Sequence, residues 1–336
     1  MSSSTFPTGR LLDGVINGVL DIAVAAVPAD ALGSSGRLAA GVAGVAGAAP
    51  PAGAADVSGV AALLARRVRA DAVRPLLTFY DDATGERSEL SAATVDNWVS
   101  KTANLLVDTL GIAAGDTVRI VLPPHWQTAV VLLAAWSAGA RVAVQRPDVD
   151  TGPDAVSGTD DHDDPPVAVF VTEDAVDDPI VVGDGAEIVA LSLRPMGGRL
   201  AQPVPGVLDF AGEVLSHGDR FTAPVPPANQ RTLTRLATYY AQAWDLTEQD
   251  RILTTAGYDT PDGLLGGLLS PLAAGASVVL CRHLDRGLLD RRIAVERVTA
   301  VCGLAASEPA ASGPAEPGPG LGQAPTGVRR LGTVSR

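Results

Sequence analysis

The chain has 336 residues, enough for two domains with a sizeable core, and 46% of them are hydrophobic although only 4% are aromatic. Its formal net charge of −13 argues against nucleic acid and anionic membranes as partners, because both attract basic surfaces. Lys101 is the single lysine, so any reaction that needs a mobile lysine has one candidate.

Four histidines are scattered along the chain, and Cys281 and Cys302 each end an apolar run. We therefore expect buried reduced thiols rather than a disulfide, and no metal site. Residues 1–57 hold a short amphipathic pattern but neither a signal-peptide apolar region nor a membrane span. We interpret them as a flexible leader, or as the product of a start assigned too early, and predict a cytoplasmic protein.

A hairpin between two helices is predicted next. Its elements are a helix over 57–69, strands over 76–80 and 88–90, and a long helix over 91–110. Residues 81–86 have the composition of a turn, and Ser91 is a suitable N-cap for the long helix. Helical spacing places Trp98 and Thr109 on the buried face of that helix and Lys101 on the opposite, solvated face.

A strand–helix–strand unit follows over Asp116–Gln145. Its predicted strands cover 117–122 and 141–145, and its helix covers 127–138. Pro123 and Pro124 end the first strand because proline donates no ladder hydrogen bond, and Gly139 stands where a left-handed C-cap is favoured. A crossover of this length implies parallel strands.

The same plan returns over Arg251–Cys281. Thr260 is placed to cap a helix that has Pro261 at its first position, where the missing N–H costs nothing. Gly275 ends this helix, and 277–281 is predicted to be the parallel partner of 251–255. The two units therefore indicate a duplicated topology.

The region between the units is less regular. Short strands are predicted over 167–172, 180–182 and 187–191, and helices over 207–215 and, farther along the chain, 288–296. His162 stands within the acidic run 160–164, which is more typical of a solvated loop than of a metal site. A last strand is predicted over 298–302, and the residues 305–336, rich in Pro, Gly and Ala, are predicted to be a disordered tail.

The order of these motifs resembles that of adenylate-forming enzymes: acyl-CoA synthetases, luciferases and peptide-synthetase adenylation domains. In the first unit the matching residues are Leu90, Asn104, Leu106, Gly111, Gly115, Asp116, Val118, Leu122, Pro123, Ala135 and Gly139. In the second unit they are Asp250–Leu253, Gly263–Leu265 and Pro271–Leu280. Tyr80–Arg87 together with Pro124–Gln127 is similar to a short actinobacterial family that looks like the amino-terminal part of such an enzyme.

The resemblance implies an α/β fold with two Rossmann-like strand–helix–strand subdomains and mostly parallel sheets. It places the first subdomain at 58–200 and a second, partial subdomain at 201–304, without the C-terminal lid domain of the family.

The sequence differs from the family in the residues that carry the family's chemistry. The resemblance places a phosphate-binding loop just before the helix that begins near Arg231, but 221–230 contains no glycine and has prolines at Pro224, Pro226 and Pro227, which remove N–H donors. The family's ribose-binding acid and catalytic lysine have no counterpart, and Lys101 matches no catalytic position. We therefore predict no catalytic residues and no cofactor, with ATP or AMP implied only by the resemblance.

Two classes of function follow. The first is a non-catalytic or degenerate module that binds a nucleotide, an acyl group or a protein partner. The alternative is an enzyme, either a half-enzyme completed by a partner chain or a different chemistry in the same cleft. A relic without a selected function is a third interpretation, and both a homodimer and a complex with a complementing chain are left open.

A surviving site is predicted at the carboxyl ends of the parallel strands, where open α/β sheets bind ligands. The candidate residues are His125 and Trp126, after the first strand of unit one, and Tyr258, Asp259 and Thr260, after the first strand of unit two. Structural packing is the alternative for Trp126 and Tyr258. A helix-start or solvent role is the alternative for His125.

Overall fold

The computed structural model describes residues 59–146, 165–178, 185–304 and 327–332. The strands are β1 Pro75–Asp81, β2 Glu86–Ser91, β3 Thr117–Val121, β4 Arg141–Val144, β5 Ala168–Thr172, β6 Glu187–Leu191, β7 Val207–Asp209, β8 Arg251–Thr254, β9 Ser277–Arg282, β10 Ala300–Cys302 and β11 Arg329–Arg330. The helices are α1 Val60–Ala70, α2 Ala92–Asn104, α3 Trp126–Ser137, α4 Phe210–Val214, α5 Ala228–Ala243, α6 Asp262–Leu269 with Ser270–Ala274, and α7 Leu289–Glu296.

The strands form two sheets. One has five strands in the order β4-β3-β5-β6-β7, all parallel. The other has six strands in the order β11-β10-β8-β9-β1-β2, in which only the β1–β2 pair is antiparallel. The predicted α/β class with mostly parallel sheets is confirmed.

Both strand–helix–strand units form as predicted. β3 pairs with β4 in parallel and β8 pairs with β9 in parallel, each pair joined by one helical crossover. Gly139 and Gly275 have φ angles of +87° and +79°, in the left-handed region where glycine carries no Cβ penalty.

The β1–β2 hairpin belongs to the six-stranded sheet. β1 has four consecutive buried residues, 76–79, as expected for a strand covered on both faces, and it pairs in parallel with β9. The predicted subdomain 58–200 therefore supplies strands to both sheets. The pairing partner of β1 lies about 200 residues further along the chain, so local patterns in the sequence do not reveal it.

The main apolar core lies between the sheets. It contains residues of β1, β3, β5 and β9 and of helices α1, α2, α3, α5 and α6, so these helices separate the two sheets. On the other face of the six-stranded sheet, α7 covers a smaller core that includes Val279, Cys281 and Ile293. None of the helices in the described ranges is long and apolar enough to cross a membrane.

Charged groups also hold α7 to this sheet. Glu296, at the end of α7, accepts hydrogen bonds from Tyr80, Arg87 and Arg251, which come from β1, β2 and β8. Burial would raise the pKa of Glu296, but the hydrogen bonds from Tyr80 and Arg87 outweigh it and hold the pKa below its usual value.

Three details differ from the predictions. The long helix becomes π-helical over Leu105–Thr109, where Leu110 donates to the carbonyl of Leu105, and this turns Thr109 outward to an exposed position. Trp98 is half-buried rather than buried. The helix predicted over 207–215 is a short strand, β7, followed by α4, because residues 207–209 pair with β6.

Within the predicted tail 305–336 the structure describes residues 327–332, and these pack on the six-stranded sheet. Arg329 and Arg330 form β11 at the edge of the six-stranded sheet, and Leu331 is buried against Ile252 and Ala300. The guanidinium of Arg329 also pairs with Asp250. These contacts supply the apolar burial that composition alone did not indicate. The strand predicted at 180–182 and the acidic run at 160–164 lie outside the described residues.

Candidate functional site

The structure brings the two predicted loops together. A methyl group built on Gly257 would lie 3.8 Å from Cγ of Pro124, so the loops after β3 and β8 are in van der Waals range. Arg146, which follows β4, donates to Asp259 Oδ2 from Nη2 at 2.8 Å and from Nε at 2.9 Å. The carboxyl edges of the two sheets therefore face each other across these loops.

His125 is the N-cap of α3. Its side chain is 1% exposed, and its Nδ1 accepts a hydrogen bond from the backbone N–H of Gln127 at 3.2 Å. This bond requires an unprotonated Nδ1, so in the neutral ring the proton is on Nε2. The ring also packs edge-on against Phe79, with 4.5 Å between centroids. The helix-start role is thus what the geometry provides, whereas a solvent role does not fit the burial.

Glu86 is the residue that His125 faces. The carboxylate Oε2 lies 3.8 Å from His125 Nε2, and Oε1 accepts from the Ser88 hydroxyl at 2.7 Å. Burial would raise the pKa of Glu86, but His125, Ser88 and the Trp126 indole lower it to a net value below the usual range. Burial lowers the pKa of His125, and Glu86 offsets part of that decrease. Sequence reasoning missed Glu86 because it stands in an ordinary polar turn.

Trp126 and Tyr258 are packing residues in this structure. Trp126 is 3% exposed and contacts Trp98 edge-on, with 5.4 Å between ring centroids. Tyr258 is 2% exposed, and burial raises the pKa of its phenol. Its hydroxyl has no hydrogen-bond partner among the described residues. Both side chains anchor their loops by packing into the main apolar core.

Thr260 caps α6 as predicted. Its Oγ1 accepts from the N–H of Gly263 at 3.1 Å and donates to the carbonyl of Gly257 at 2.7 Å. Asp259 has a different role, because its side chain, 10% exposed, is paired with Arg146. Arg146 was not among the predicted site residues, although its position directly after a parallel strand was an available signal.

A cavity of about 400 Å³ lies beside this region, at the carboxyl ends of β10 and β11. Its lining residues are Asp262, Val301, Gly303, Leu304, Arg330, Leu331 and Gly332. The hydroxyl of Thr255 donates to the carbonyl of Gly303 at 3.0 Å, which connects the cavity wall to the loop after β8. Sequence reasoning missed the cavity because β11 was assigned to the tail.

The thiols are buried and free, as predicted. Burial raises the pKa of Cys281 to about 11 and that of Cys302 to about 12, so both are protonated at neutral pH. In the part of the chain that the structure describes, no group of three or more His, Cys, Asp or Glu side chains is arranged to hold a metal ion.

The proline segment 221–227 lies at the other end of α3. A Cβ atom on Gly139, just after α3, would lie 3.3 Å from Cγ of Pro224. Gln230, at the start of α5, donates to the carbonyl of Trp136 in the last turn of α3 at 2.8 Å. The segment therefore packs near the amino ends of β3 and β4, away from the candidate loops.

Lys101 is also remote from those loops. Its ammonium donates to the carbonyl of His217, in the segment after α4. Asn104, one helical turn further along α2, donates to the carbonyls of Gly218 and Arg220 at 2.8 and 2.9 Å. Together these side chains fix the segment that leads to the prolines.

Comparison with known proteins gives the family. The sequence profile described as AMP-binding enzyme matches residues 64–180. A TIGR03089 family protein of Mycobacterium tuberculosis is 42% identical over 250 residues, which cover 71% of this chain and 96% of that protein. The chain belongs to the TIGR03089 family.

Solved structures show the fold that this family shares. An acyl-CoA synthetase of Brucella canis superimposes with a TM-score of 0.61 at 18% identity, and the anthranilate CoA ligase AuaEII, solved with anthranoyl-AMP, with a TM-score of 0.58 at 16% identity. Each match covers 72% of this chain and 47% or 49% of the solved chain. The TIGR03089 chain thus has the adenylate-forming fold and spans about half the length of these enzymes.

Proposed function

We propose that this chain is a non-catalytic module of the adenylate-forming fold that binds a nucleotide or acyl ligand at the carboxyl edge where its two sheets meet. The observation that carries the proposal is the position of the proline segment. It packs at the C-terminal end of α3, whereas the His125 loop is at the N-terminal end. The 12 residues of α3 separate the two by roughly 18 Å.

This separation matters because phosphate groups are held by backbone N–H donors close to the reacting centre. Pro224, Pro226 and Pro227 have no N–H, and Pro224 lies beside Gly139 at the opposite end of the helix. Lys101, the single lysine, donates to a backbone carbonyl there as well. Each missing preorganised donor typically costs about 3–4 kcal/mol of transition-state stabilisation, so loss of turnover is expected.

Ligand binding is supported by the cavity next to the candidate loops. Its volume of about 400 Å³ falls in the range of small-molecule sites, roughly 300–1,000 Å³. Arg330 is exposed at its rim and suits an anionic group, while Leu304 and Leu331 offer apolar surface to a ring or an acyl chain. We place this module in the cytoplasm.

The test is a thermal-shift series on the full chain with AMP, ATP, CoA and an acyl-CoA. A ligand at 100 times its dissociation constant should stabilise the protein by about 2.7 kcal/mol. Arg330→Glu should weaken the shift for anionic ligands, whereas Arg235→Glu, the same charge change on the exposed face of α5, should leave it intact. Absence of any shift, or a shift that Arg330→Glu leaves unchanged, would contradict the proposal.

A half-enzyme completed by a partner chain is the second candidate, favoured by the match to about half of each solved ligase. Pyrophosphate–ATP exchange separates the two. The binding module gives no exchange alone or with added cell extract, whereas the half-enzyme gives exchange only when the extract is present.

A further inference from the structure

The turn between β1 and β2 contacts both sheets through histidine–carboxylate pairs. At one end of the turn, Asp81 Oδ1 lies 2.9 Å from Nδ1 of His283, which follows β9. At the other end, Glu86 Oε2 lies 3.8 Å from Nε2 of His125, at the start of α3. The hairpin end Asp81–Glu86 therefore connects the six-stranded sheet to the helix that begins at the edge of the five-stranded sheet.

The two histidines differ in their surroundings. The side chain of His283 is 50% exposed to water. His125 is 1% exposed, and its Nδ1 is already an acceptor for the Gln127 N–H. A second proton on His125 can go only to Nδ1, where it would turn the acceptor into a donor facing another donor.

We propose that protonation of His125 releases the N-cap of α3 and loosens the first turn of that helix, at the carboxyl edge of the molecule, as the pH falls. The protonation acts on the fold itself and needs no bound ligand. It makes the candidate cleft a proton-sensitive junction.

Burial sets the direction of the effect, and the charges around His125 act beside it. Glu86 of β2 and Asp81 of β1 favour the imidazolium, whereas Arg282 of β9 and the positive end of the α3 dipole oppose it. Burial is the largest influence and lowers the pKa of His125. Since the folded pKa lies below the unfolded value of about 6.5, folding becomes less favourable as pH falls through this range.

Trp126 provides a direct signal, because its ring centroid is 5.6 Å from that of His125 and an imidazolium quenches a nearby indole. Tryptophan fluorescence of the full chain should show a transition with its midpoint below about pH 6.5. His125→Asn should abolish the transition, since asparagine still caps the helix but does not titrate. His283→Asn, the matched control on the exposed pair, should retain it.

Loosening of the first turn of α3 is measured separately by amide hydrogen exchange. In the wild type below the midpoint, amides in the first turn of α3 should exchange about fivefold faster than in His125→Asn, after correction for intrinsic rates. If His125→Asn fails to fold, Glu86→Gln serves instead and should move the fluorescence midpoint to lower pH. A transition that survives His125→Asn, equal exchange in the two proteins, or an unmoved midpoint in Glu86→Gln would overturn the proposal.

Discussion

The two strand–helix–strand units share one plan and differ in how the helix meets its sheet. In unit one, α3 is a regular α-helix whose 12 residues are all buried, and its apolar side chains fill the space to its neighbours. In unit two, α6 is π-helical over Asp262–Leu269, and its glycines bring it close to β8, β10 and the loop after β8. A Cβ atom on Gly266 would lie 2.3 Å from the sulfur of Cys302, and one on Gly263 would lie 1.9 Å from the carbonyl oxygen of Gly257.

This difference shows that one topology tolerates two packing solutions. Large side chains separate α3 from its neighbours and form an ordinary core. In contrast, α6 lies close to its neighbours because it has glycines and a wider helical turn. The N-caps differ as well, since unit one uses a titratable imidazole and unit two a hydroxyl. Unit two should therefore be sensitive to added volume, and unit one to removed volume and to pH.

Removal of volume from unit one should have the largest effect. Trp126→Ala should lower the free energy of unfolding by about 3–5 kcal/mol, because it empties a buried site. Urea denaturation measures this, with Trp98→Ala as the matched control. Trp98 is half-buried, so Trp98→Ala should lower the free energy of unfolding by clearly less. An equal or larger decrease would show that Trp126 is not the more important packing residue.

Added volume in unit two should come next. Gly263→Ala should destabilise the protein by about 1–3 kcal/mol, since the new methyl group meets backbone that cannot yield easily. Gly267→Ala is the control, because there the nearest atom is a Thr254 side-chain carbon at 3.1 Å. Equal denaturation midpoints for the two variants would contradict the prediction that α6 requires a glycine where it lies against the backbone of Gly257.

The stability contributions of the two N-caps, His125 and Thr260, should depend differently on pH. At pH 8, Thr260→Ala should cost about 1 kcal/mol, the usual value of an N-cap, and His125→Ala should cost more, because it also empties a buried site. The contribution of His125 is present above about pH 6.5 and is lost as pH falls through its lowered folded pKa, whereas that of Thr260 does not change. Denaturation curves at pH 8 and pH 5 give both values. A His125→Ala cost that is the same at both pH values would contradict this assignment.

The ion pair that joins the units should matter least for stability. A double-mutant cycle with Arg146→Ala and Asp259→Asn should give a coupling of roughly 0.5 kcal/mol, because the arginine is half-exposed and screened by solvent. Raising the salt concentration to 1 M should reduce it further. A coupling above about 2 kcal/mol would indicate that the pair is more deeply buried than its geometry implies.

Much of the fold could be predicted from local patterns. Apolar periodicity, the cap at Thr260 and the glycines after each helix define β3–α3–β4 and β8–α6–β9, and Ser91 marks the start of α2. The patterns did not reveal that β1 pairs with β9, because strand pairing over this separation leaves no local trace. They also missed the π-helical segments Leu105–Thr109 and Asp262–Leu269.

The meeting of the two candidate loops was predictable, and ligand binding there stays a prediction. The rule that ligands bind at the carboxyl ends of parallel strands identified both loops, and the loops do meet. Glu86 and Arg330 were missed, since each stands in a stretch whose composition indicates a solvated turn or a tail. Their importance comes from neighbours distant in sequence, His125 for the first and the cavity beside β10 for the second.

The pairing of β1 with β9 also constrains how the chain is made. The Ser277 hydroxyl donates a hydrogen bond to the carbonyl of Pro75, 202 residues earlier. On the ribosome, β1 therefore lacks its partner β9 until most of the chain has been synthesised. During that interval β1 exposes an apolar edge that can pair with another nascent chain. Native contacts of such long range make folding slow, and a pause in translation before residue 277 would prolong the period in which aggregation competes with folding.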